Sequence, residues 1–143
     1  MGYLARYEGP YGRFDYSNSG DSQIWIAGGI GIVPFLAWVR AIKGSDTKLK
    51  IDLYYCIHRK KDAIFYEEFQ KFSKTYPHFQ CFLHCSEEDN RIDLKKIFSS
   101  SEGIAGKKIL MCGPMKLTSD LKKQFQTLGV KNEDIYFEDF EFF

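Results

Sequence analysis

The feature that most limits how this chain can fold is a regular alternation of short β-rich runs with amphipathic stretches of helical spacing. The β-rich runs predict strands at Gln23–Ala27, Lys50–Ile57, Phe79–His84, Lys108–Cys112 and Ile135–Phe137. The stretches between them predict helices at Ile32–Ile42, Phe65–Tyr76, Leu94–Phe98 and Met115–Leu128. Because strands that alternate with helices form βαβ units, the pattern predicts an α/β fold with a doubly wound, mainly parallel, five-stranded sheet flanked by helices.

Composition and charge exclude several classes of function. A length of 143 residues with 44% hydrophobic residues predicts one packed domain. The 20 lysine and arginine residues are balanced by 19 acidic residues, so we expect no nucleic-acid partner. The longest apolar stretch, Ile24–Val39, is broken by glycines and a proline and does not predict a membrane span, and the start of the chain lacks the order of a signal peptide. We therefore expect a cytoplasmic domain, which could lie at the cytoplasmic face of a membrane as part of a larger protein.

The four cysteines, Cys56, Cys81, Cys85 and Cys112, allow two interpretations. Cys81, His84 and Cys85, with or without His78, could ligate a metal ion, since zinc ligands are often spaced in this way. Alternatively, Cys81 and Cys85 lie on one face of a strand and pack as small hydrophobic residues. A second ligand pair is missing, so we predict no metal site.

The first glycine-rich segment at a predicted strand end runs from Ala27 to Pro34 and contains Gly28, Gly29 and Gly31. An open parallel sheet binds its ligand outside the carboxyl ends of its strands. Glycines let the backbone approach an anion closely, and the N-terminus of the next helix offers unpaired N–H groups. The segment suits a pyrophosphate. A simple turn from strand to helix would also use glycine, and Pro34 stands where a dinucleotide fingerprint has its third glycine.

The second glycine-containing strand end is Met111–Met115, which opens the last long helix. It could be a tight turn with Cys112 buried. A reactive thiol at a helix N-terminus is the alternative, but no base or resolving cysteine stands beside it in the sequence.

Taken together, three motifs resemble the nucleotide-binding domain of the ferredoxin–NADP reductase superfamily. They are Ala27–Phe35, Cys112–Met115 and the terminal Glu138–Phe140. Within the superfamily the chain is most similar to ferric reductases and NADPH-oxidase-type reductases. Gly9–Phe14 matches the segment that ends the FAD-binding β-barrel of these proteins. The resemblance implies a Rossmann-like fold of the ferredoxin reductase type.

The resemblance also implies a role for each matching position. The loop that cradles the pyrophosphate of a nicotinamide nucleotide would consist of Gly28, Gly29, Gly31, Ile32, Val33 and Pro34. The nicotinamide ring and its ribose would be lined by Cys112, Gly113, Pro114 and Met115. The candidate catalytic residues are Cys112, close to the point where hydride leaves, Phe140, which would cover one face of the flavin, and Glu138 beside it.

On this interpretation residues 1–14 are the C-terminal remnant of an FAD-binding barrel and residues 15–143 are the NAD(P)-binding domain. NAD(P)H would pass hydride to FAD, which would pass electrons to a ferric, haem or other acceptor. The family's flavin-binding motif, arginine-x-tyrosine/phenylalanine-serine/threonine, has no counterpart here. FAD would therefore be held mainly by a missing domain of the same parent protein, and we expect this chain alone to be inactive.

A transmembrane haem domain is a further partner that the resemblance implies. Two other functions stay open: a non-catalytic module that binds a nicotinamide nucleotide, and an unrelated nucleotide-dependent enzyme with a doubly wound sheet.

The choice between NADH and NADPH depends on two charged segments that follow predicted strands. Ser86 is followed by acidic residues at positions 87–89, where the family often has an arginine that contacts the 2′-phosphate, and carboxylates near the ribose favour a 2′-hydroxyl. Against this, the segment from His58 to Lys61 supplies basic groups after the second predicted strand. The balance favours NADH over NADPH. Alternatively, both segments are ordinary solvated loops. The three histidines, His58, His78 and His84, are predicted to lie on the surface or in the packing rather than to act in catalysis.

Overall fold

A computed structural model of the chain describes residues 3–8, 14–18, 20–89, 92–93, 95, 97, 99 and 103–142. The strands are β1 (Tyr3–Glu8), β2 (Ser22–Gly28), β3 (Lys50–Ile57), β4 (Phe79–Cys85), β5 (Lys108–Pro114) and β6 (Ile135–Phe142). The helices are α1 (Val33–Ile42), α2 (Tyr66–Thr75), the single turn α3 (Ser86–Asp89) and α4 (Met115–Thr127). Short 3₁₀ turns occur at Tyr16–Asn18, Gly29–Ile32, Lys60–Asp62 and Asn132–Asp134.

The strands form one sheet in the order β1-β6-β5-β2-β3-β4. Strands β2 to β6 run parallel to one another, which confirms the predicted parallel core of five strands. The sixth strand, β1, is an addition that the sequence analysis did not predict. It pairs antiparallel with β6, so that Tyr3 lies opposite Phe142 and Glu8 opposite Phe137.

Buried side chains alternate between two hydrophobic layers, one on each side of the sheet. In β2, Trp25 and Ala27 lie in the layer beneath α1 and α2, whereas Ile24 and Ile26 lie in the layer beneath α4. Strand β3 is buried from Ile51 to Ile57. Central strands covered on both faces are mostly apolar, with Asp52 the buried charged residue of β3, and this is why these segments were recognisable in the sequence. The doubly wound arrangement is confirmed.

The helices follow the predicted positions with small shifts at their ends. Helix α1 begins at Val33 rather than Ile32, because Ile32 belongs to the preceding 3₁₀ turn, and Pro34 stands in the first turn as predicted. Helix α4 ends just before Gly129, whose φ of 90° suits a helix stop. Of the predicted helix Leu94–Phe98, the structure describes residues 95 and 97, and both are helical.

The segment that leads into β2 is held firmly to the domain. The Gln23 side-chain amide, 1% exposed, donates to the backbone oxygens of Tyr16 and Gly20 at 2.7 and 2.9 Å. Its oxygen accepts the Trp25 indole N–H at 2.7 Å. The rings of Tyr16 and Trp38 pack with centroids 5.4 Å apart. The chain therefore enters β2 from a fixed position. Among the helices of the described residues, none is long and apolar enough to cross a membrane.

Candidate functional site

The two glycine-containing segments identified in the sequence meet at the carboxyl edge of the sheet. They follow β2 and β5, which are neighbours, with Ala27 opposite Cys112. Strands β3 and β4 lie on one side of β2, whereas β5 and β6 lie on the other. The direction of the strand order therefore reverses between β2 and β5, which is where open α/β sheets leave a crevice for a ligand.

Glycine is required where these segments touch, because backbone packs directly on backbone. A Cβ added to Gly31 would lie 2.1 Å from the carbonyl oxygen of Cys112 and 2.9 Å from the nitrogen of Gly113. A Cβ added to Gly28 would lie 2.5 Å from Cδ2 of Leu117. Because Gly28 and Gly31 have no side chains, the two segments can pack directly against each other.

Gly29 differs from these two glycines because it faces open space. Its φ is 57°, and nothing lies within 4 Å of the position that a Cβ would take. It begins the 3₁₀ turn that leads into α1, whose first turn has no side-chain cap. Of the following residues, Ile32 is 2% exposed and anchors the turn in the core, whereas Val33 is 56% exposed. The N–H of Val33 donates to the oxygen of Ile30 and Pro34 has no N–H, so the start of α1 offers a ligand its positive dipole end while Ile32 holds the loop in place.

The second segment presents a buried thiol and then a helix. Cys112 is 3% exposed, Gly113 is buried, Pro114 is exposed and Met115 begins α4. Burial raises the pKa of the Cys112 thiol to about 12, and the carboxylates of Glu138 and Asp139 add to the shift. The thiol is therefore uncharged near neutral pH, so the interpretation of Cys112 as a reactive thiolate is not supported.

Strand β6 brings the remaining candidates beside this segment. Glu138 lies opposite Cys112 and Phe140 opposite Pro114 in the register of β5 and β6. Glu138 is partly exposed, and the side chain of Phe140 lies outside the described part of the structure. The backbone thus places all the predicted site residues on one edge of the sheet, and their individual roles remain predictions.

A cavity of about 210 Å³ opens on this edge, on the α4 side of the sheet. It is lined by residues from the ends of four strands, from the connections that follow them and from α4: Gly28, Gly29, Cys56, Ile57, His58, His84, Ser86, Ile92, Pro114 and Leu117. Sequence reasoning assigned no ligand contact to Ile92, Leu117 or the histidines. His84, predicted as a surface or packing residue, is 3% exposed and also lines the cavity. These residues could have been identified in the sequence from their positions, because they lie at or after the ends of predicted strands or stand in the first turn of a predicted helix.

The alternative metal site does not assemble. Cys81 and Cys85 lie in or against the layer beneath α1 and α2, as the packing interpretation predicted, whereas His84 lines the cavity on the other face. Burial raises the pKa of the Cys81 thiol to about 12, as expected for a thiol packed among apolar side chains. The described residues contain no group of three His, Cys, Asp or Glu side chains placed to hold an ion.

Known proteins share this sequence pattern and this fold. The profile of oxidoreductase NAD-binding domains matches residues 25–123. One component of the Na⁺-translocating NADH-quinone reductase of Neisseria meningitidis is 25% identical over 145 aligned residues, which cover 92% of this chain and 36% of that protein. Flavohemoglobin from Malassezia yamatoensis, solved with FAD and heme, superposes with a TM-score of 0.72 at 18% identity over 87% of this chain and 32% of its own.

Ferredoxin-NADP⁺ reductase from Plasmodium falciparum superposes with a TM-score of 0.71 at 16% identity, over 82% of this chain and 51% of its own. These likenesses confirm the predicted fold and the resemblance to the ferredoxin–NADP reductase superfamily. The narrower likeness to ferric reductases stays a prediction. The chain spans about a third of the length of the quinone reductase component that it matches, 36%.

Proposed function

This chain belongs to the family of oxidoreductase NAD-binding domains, and from that premise we propose that it binds NADH across the carboxyl edge of its sheet and presents the nicotinamide to FAD held by another domain of a longer protein. The observation that carries the proposal is the contact of Gly31 with the backbone of Cys112 at the point where the strand order reverses. That contact joins a loop suited to a diphosphate to a second loop within reach of the same ligand.

The first loop, from Gly28 to Pro34, would hold the diphosphate. The open space in front of Gly29 admits an anion, and a side chain there would fill it. The start of α1, a helix of ten residues, lies at the carboxyl edge and carries the positive end of the helix dipole. Val33 is exposed beside it and would shield one side of the bound diphosphate from water.

The second loop, Cys112–Met115, would line the nicotinamide and its ribose. When both are bound, NADH supplies a hydride and FAD accepts it. The protein's part is to orient the nicotinamide and exclude water. Cys112 suits this task because its thiol is uncharged and buried at the edge. Glu138 and Phe140, on the neighbouring strand, would complete the wall that faces the flavin.

The charges near the far end of the cavity favour NADH over NADPH. Glu87 and Glu88 are exposed just after β4 and would repel a 2′-phosphate. The basic residues after β3 would attract a 2′-phosphate less than their number suggests. One of them, Lys60, is already paired, with its Nζ 4.0 Å from Oε1 of Glu88. The local charge therefore suits a ribose with a free 2′-hydroxyl.

The wider setting follows from the same proposal. Residues 15–143 would be the nucleotide domain. Residues 1–14 would be the end of an FAD-binding barrel in the longer protein, although their strand β1 pairs with β6 in this structure. The fixed position of Tyr16 against Gln23 and Trp38 would set how the two domains face each other. The acceptor beyond FAD would be ferric iron, a haem in a transmembrane domain or another one-electron partner. All four cysteines are free thiols, as expected for a cytoplasmic domain.

The experiment that tests the proposal is calorimetric titration of the chain with NADH, NADPH and ATP, using two variants of Gly29. Asp and Asn both tolerate the left-handed conformation that Gly29 adopts, and they differ in charge alone. A carboxylate beside the diphosphate should weaken NADH binding at least about tenfold in Gly29→Asp, whereas Gly29→Asn should change it no more than about threefold.

Equal effects of the two substitutions would place the diphosphate elsewhere. Preference for ATP, or no binding of either nicotinamide nucleotide at millimolar concentration, would overturn the proposal in favour of an unrelated nucleotide-dependent enzyme. Binding of NADH without flavin reduction once an FAD domain is restored would identify a non-catalytic module.

A further inference from the structure

His58 lies after β3 and is held against the end of β4. Its Nδ1 lies 3.0 Å from Oγ of Ser86. Its backbone oxygen accepts the N–H of Glu87 and the thiol of Cys85, each at 3.0 Å. The backbone of His58 is therefore fixed by two neighbours on the adjacent connection, and its exposed imidazole is oriented by a third.

His58 and Ser86 both line the cavity of about 210 Å³ whose other end is formed by Gly28 and Gly29. A nucleotide with its diphosphate at the glycine end would extend its adenosine toward this polar pair. Ile92 and Leu117 supply apolar lining suited to the base. Because the ribose joins the diphosphate to the base, it would lie within reach of the pair.

The hydrogen-bonding capacity of the pair matches a hydroxyl group. If Ser86 donates to Nδ1, then Nε2–H of His58 is a donor and the Ser86 oxygen can accept. If Nδ1–H donates to Ser86, the roles are reversed, so either tautomer offers one donor and one acceptor. A ribose hydroxyl both donates and accepts, whereas a 2′-phosphate dianion only accepts and would also face the carboxylates of Glu87 and Glu88.

We propose that His58, positioned by Ser86, selects an adenosine ribose that carries a free 2′-hydroxyl. The inference rests on the proposed function, since it concerns the adenosine half of the same nucleotide. It adds a residue from the β3 connection that determines specificity, where sequence reasoning saw only a surface or packing histidine.

The test is the affinity of the full chain for NADH, 2′-deoxy-NADH and NADPH, measured by calorimetry. The unsubstituted chain should bind NADH at least about tenfold more tightly than 2′-deoxy-NADH, because a site built to bond a hydroxyl rejects the analogue that lacks it. In His58→Ala the affinity for NADH should fall to that for 2′-deoxy-NADH, and the affinity for 2′-deoxy-NADH should not change. His78→Ala is the matched control, since His78 is exposed and precedes β4 at the opposite edge of the sheet.

His58→Asn guards against an indirect effect of removing the ring. Its amide can keep the contact with Ser86 but lacks a counterpart of Nε2, so the preference for the 2′-hydroxyl should again be lost. If His58→Ala weakens NADH and 2′-deoxy-NADH equally, or changes neither, the selective role of His58 is overturned while the proposed function stands. If the unsubstituted chain binds no nicotinamide nucleotide, the proposed function itself fails.

Discussion

The two edges of the parallel sheet are held together by different chemistry. At the carboxyl edge, chain segments meet through bare backbone, as in the contact of Gly31 with Cys112. At the amino edge, they are joined by charged side chains: Lys107 lies 4.0 Å from Asp52, with exposures of 11% and 8%, and Lys108 pairs with Asp134. A cavity of about 460 Å³ lies at the amino edge, whereas the carboxyl edge has cavities of about 210 Å³ and about 440 Å³.

Cavity volume therefore does not distinguish the two edges. The amino-edge cavity lies between the loops 103–107 and 128–134, and two of its three charged lining residues, Lys107 and Asp134, have partners within the protein. The carboxyl-edge cavity of about 210 Å³ begins at Gly28 and Gly29, where backbone groups and open space are left for a ligand. One edge uses its polar groups to hold the fold together, and the other leaves them for binding.

The largest expected effect is that of Gly31→Ala. The new Cβ would lie 2.1 Å from the Cys112 carbonyl oxygen, and neither backbone can yield without separating β2 from β5. We expect a loss of stability of about 3 kcal/mol or more, with loss of NADH binding. Chemical denaturation and calorimetry on the folded fraction measure the two effects.

Gly106→Ala is the control at the other edge. Gly106 has a φ of 75° with open space around it, so the substitution carries conformational strain of about 1–2 kcal/mol and no clash. NADH binding should be unchanged. If Gly31→Ala proves no more harmful than Gly106→Ala, the carboxyl edge is not built on backbone contact.

Asp52→Asn tests the amino edge itself. It leaves the ammonium of Lys107, 11% exposed, without its carboxylate. Loss of one partner of a fully buried pair costs about 3–5 kcal/mol, and at this longer separation we expect on the order of 2 kcal/mol. NADH affinity, measured on folded protein, should stay the same. Asp52→Leu combined with Lys107→Met should recover much of the loss, and a double variant no more stable than Asp52→Asn would show that the charges are not the cause.

These edges also mark what the sequence could and could not predict. Strand and helix positions were predictable because buried residues form recognisable patterns in the sequence. In β3 they form a nearly continuous run, and in α2 Phe69 and Phe72 recur at helical spacing. Strand β1 was not, since it pairs with β6 at the far end of the chain and no local pattern encodes a partner so distant. The order of strands in the sheet has the same long-range origin.

The candidate site divides in the same way. The two glycine segments were recognisable because backbone that must approach closely needs glycine, and this leaves a local signal. His58 follows β3 whereas Ser86 and Ile92 both follow β4, so they meet only once β3 and β4 are paired. Each alone resembles an ordinary surface or core residue, so their shared cavity was not predictable without the sheet order.

The free energy of unfolding should fall at alkaline pH because the buried Cys112 thiol resists ionisation in the folded protein. The pKa of Cys112 is raised by burial to about 12 in the folded protein. A thiol in the unfolded chain ionises near pH 8.5, so stability is complete below about that pH and falls as pH rises through the folded pKa, by up to about 1.4 kcal/mol per pH unit.

Burial raises the pKa of Cys81 to about 12 in the same way. These two cysteines together contribute part of the fall in stability with pH, and Cys112→Ala should remove about half of that part. Urea denaturation between pH 8 and 10.5, at about half-unit steps, measures the slope. An identical slope in Cys112→Ala would mean that the Cys112 thiol ionises in the folded protein as readily as in the unfolded chain.

The smallest expected effect concerns exposed charge at the two edges. Glu87 and Glu88 follow β4 at the carboxyl edge, whereas Glu133 precedes β6 at the amino edge, and all three are exposed. Glu87→Gln with Glu88→Gln should tighten NADPH binding about three- to tenfold at low salt and leave NADH nearly unchanged, because screened surface charges contribute about 1 kcal/mol or less. The gain should shrink as salt is raised. Glu133→Gln changes the net charge in the same direction and should alter neither affinity. If it tightens NADPH binding as much as the pair does, the effect comes from net charge and not from the position of the carboxylates, and the carboxyl edge would then have no local electrostatic selection of its own.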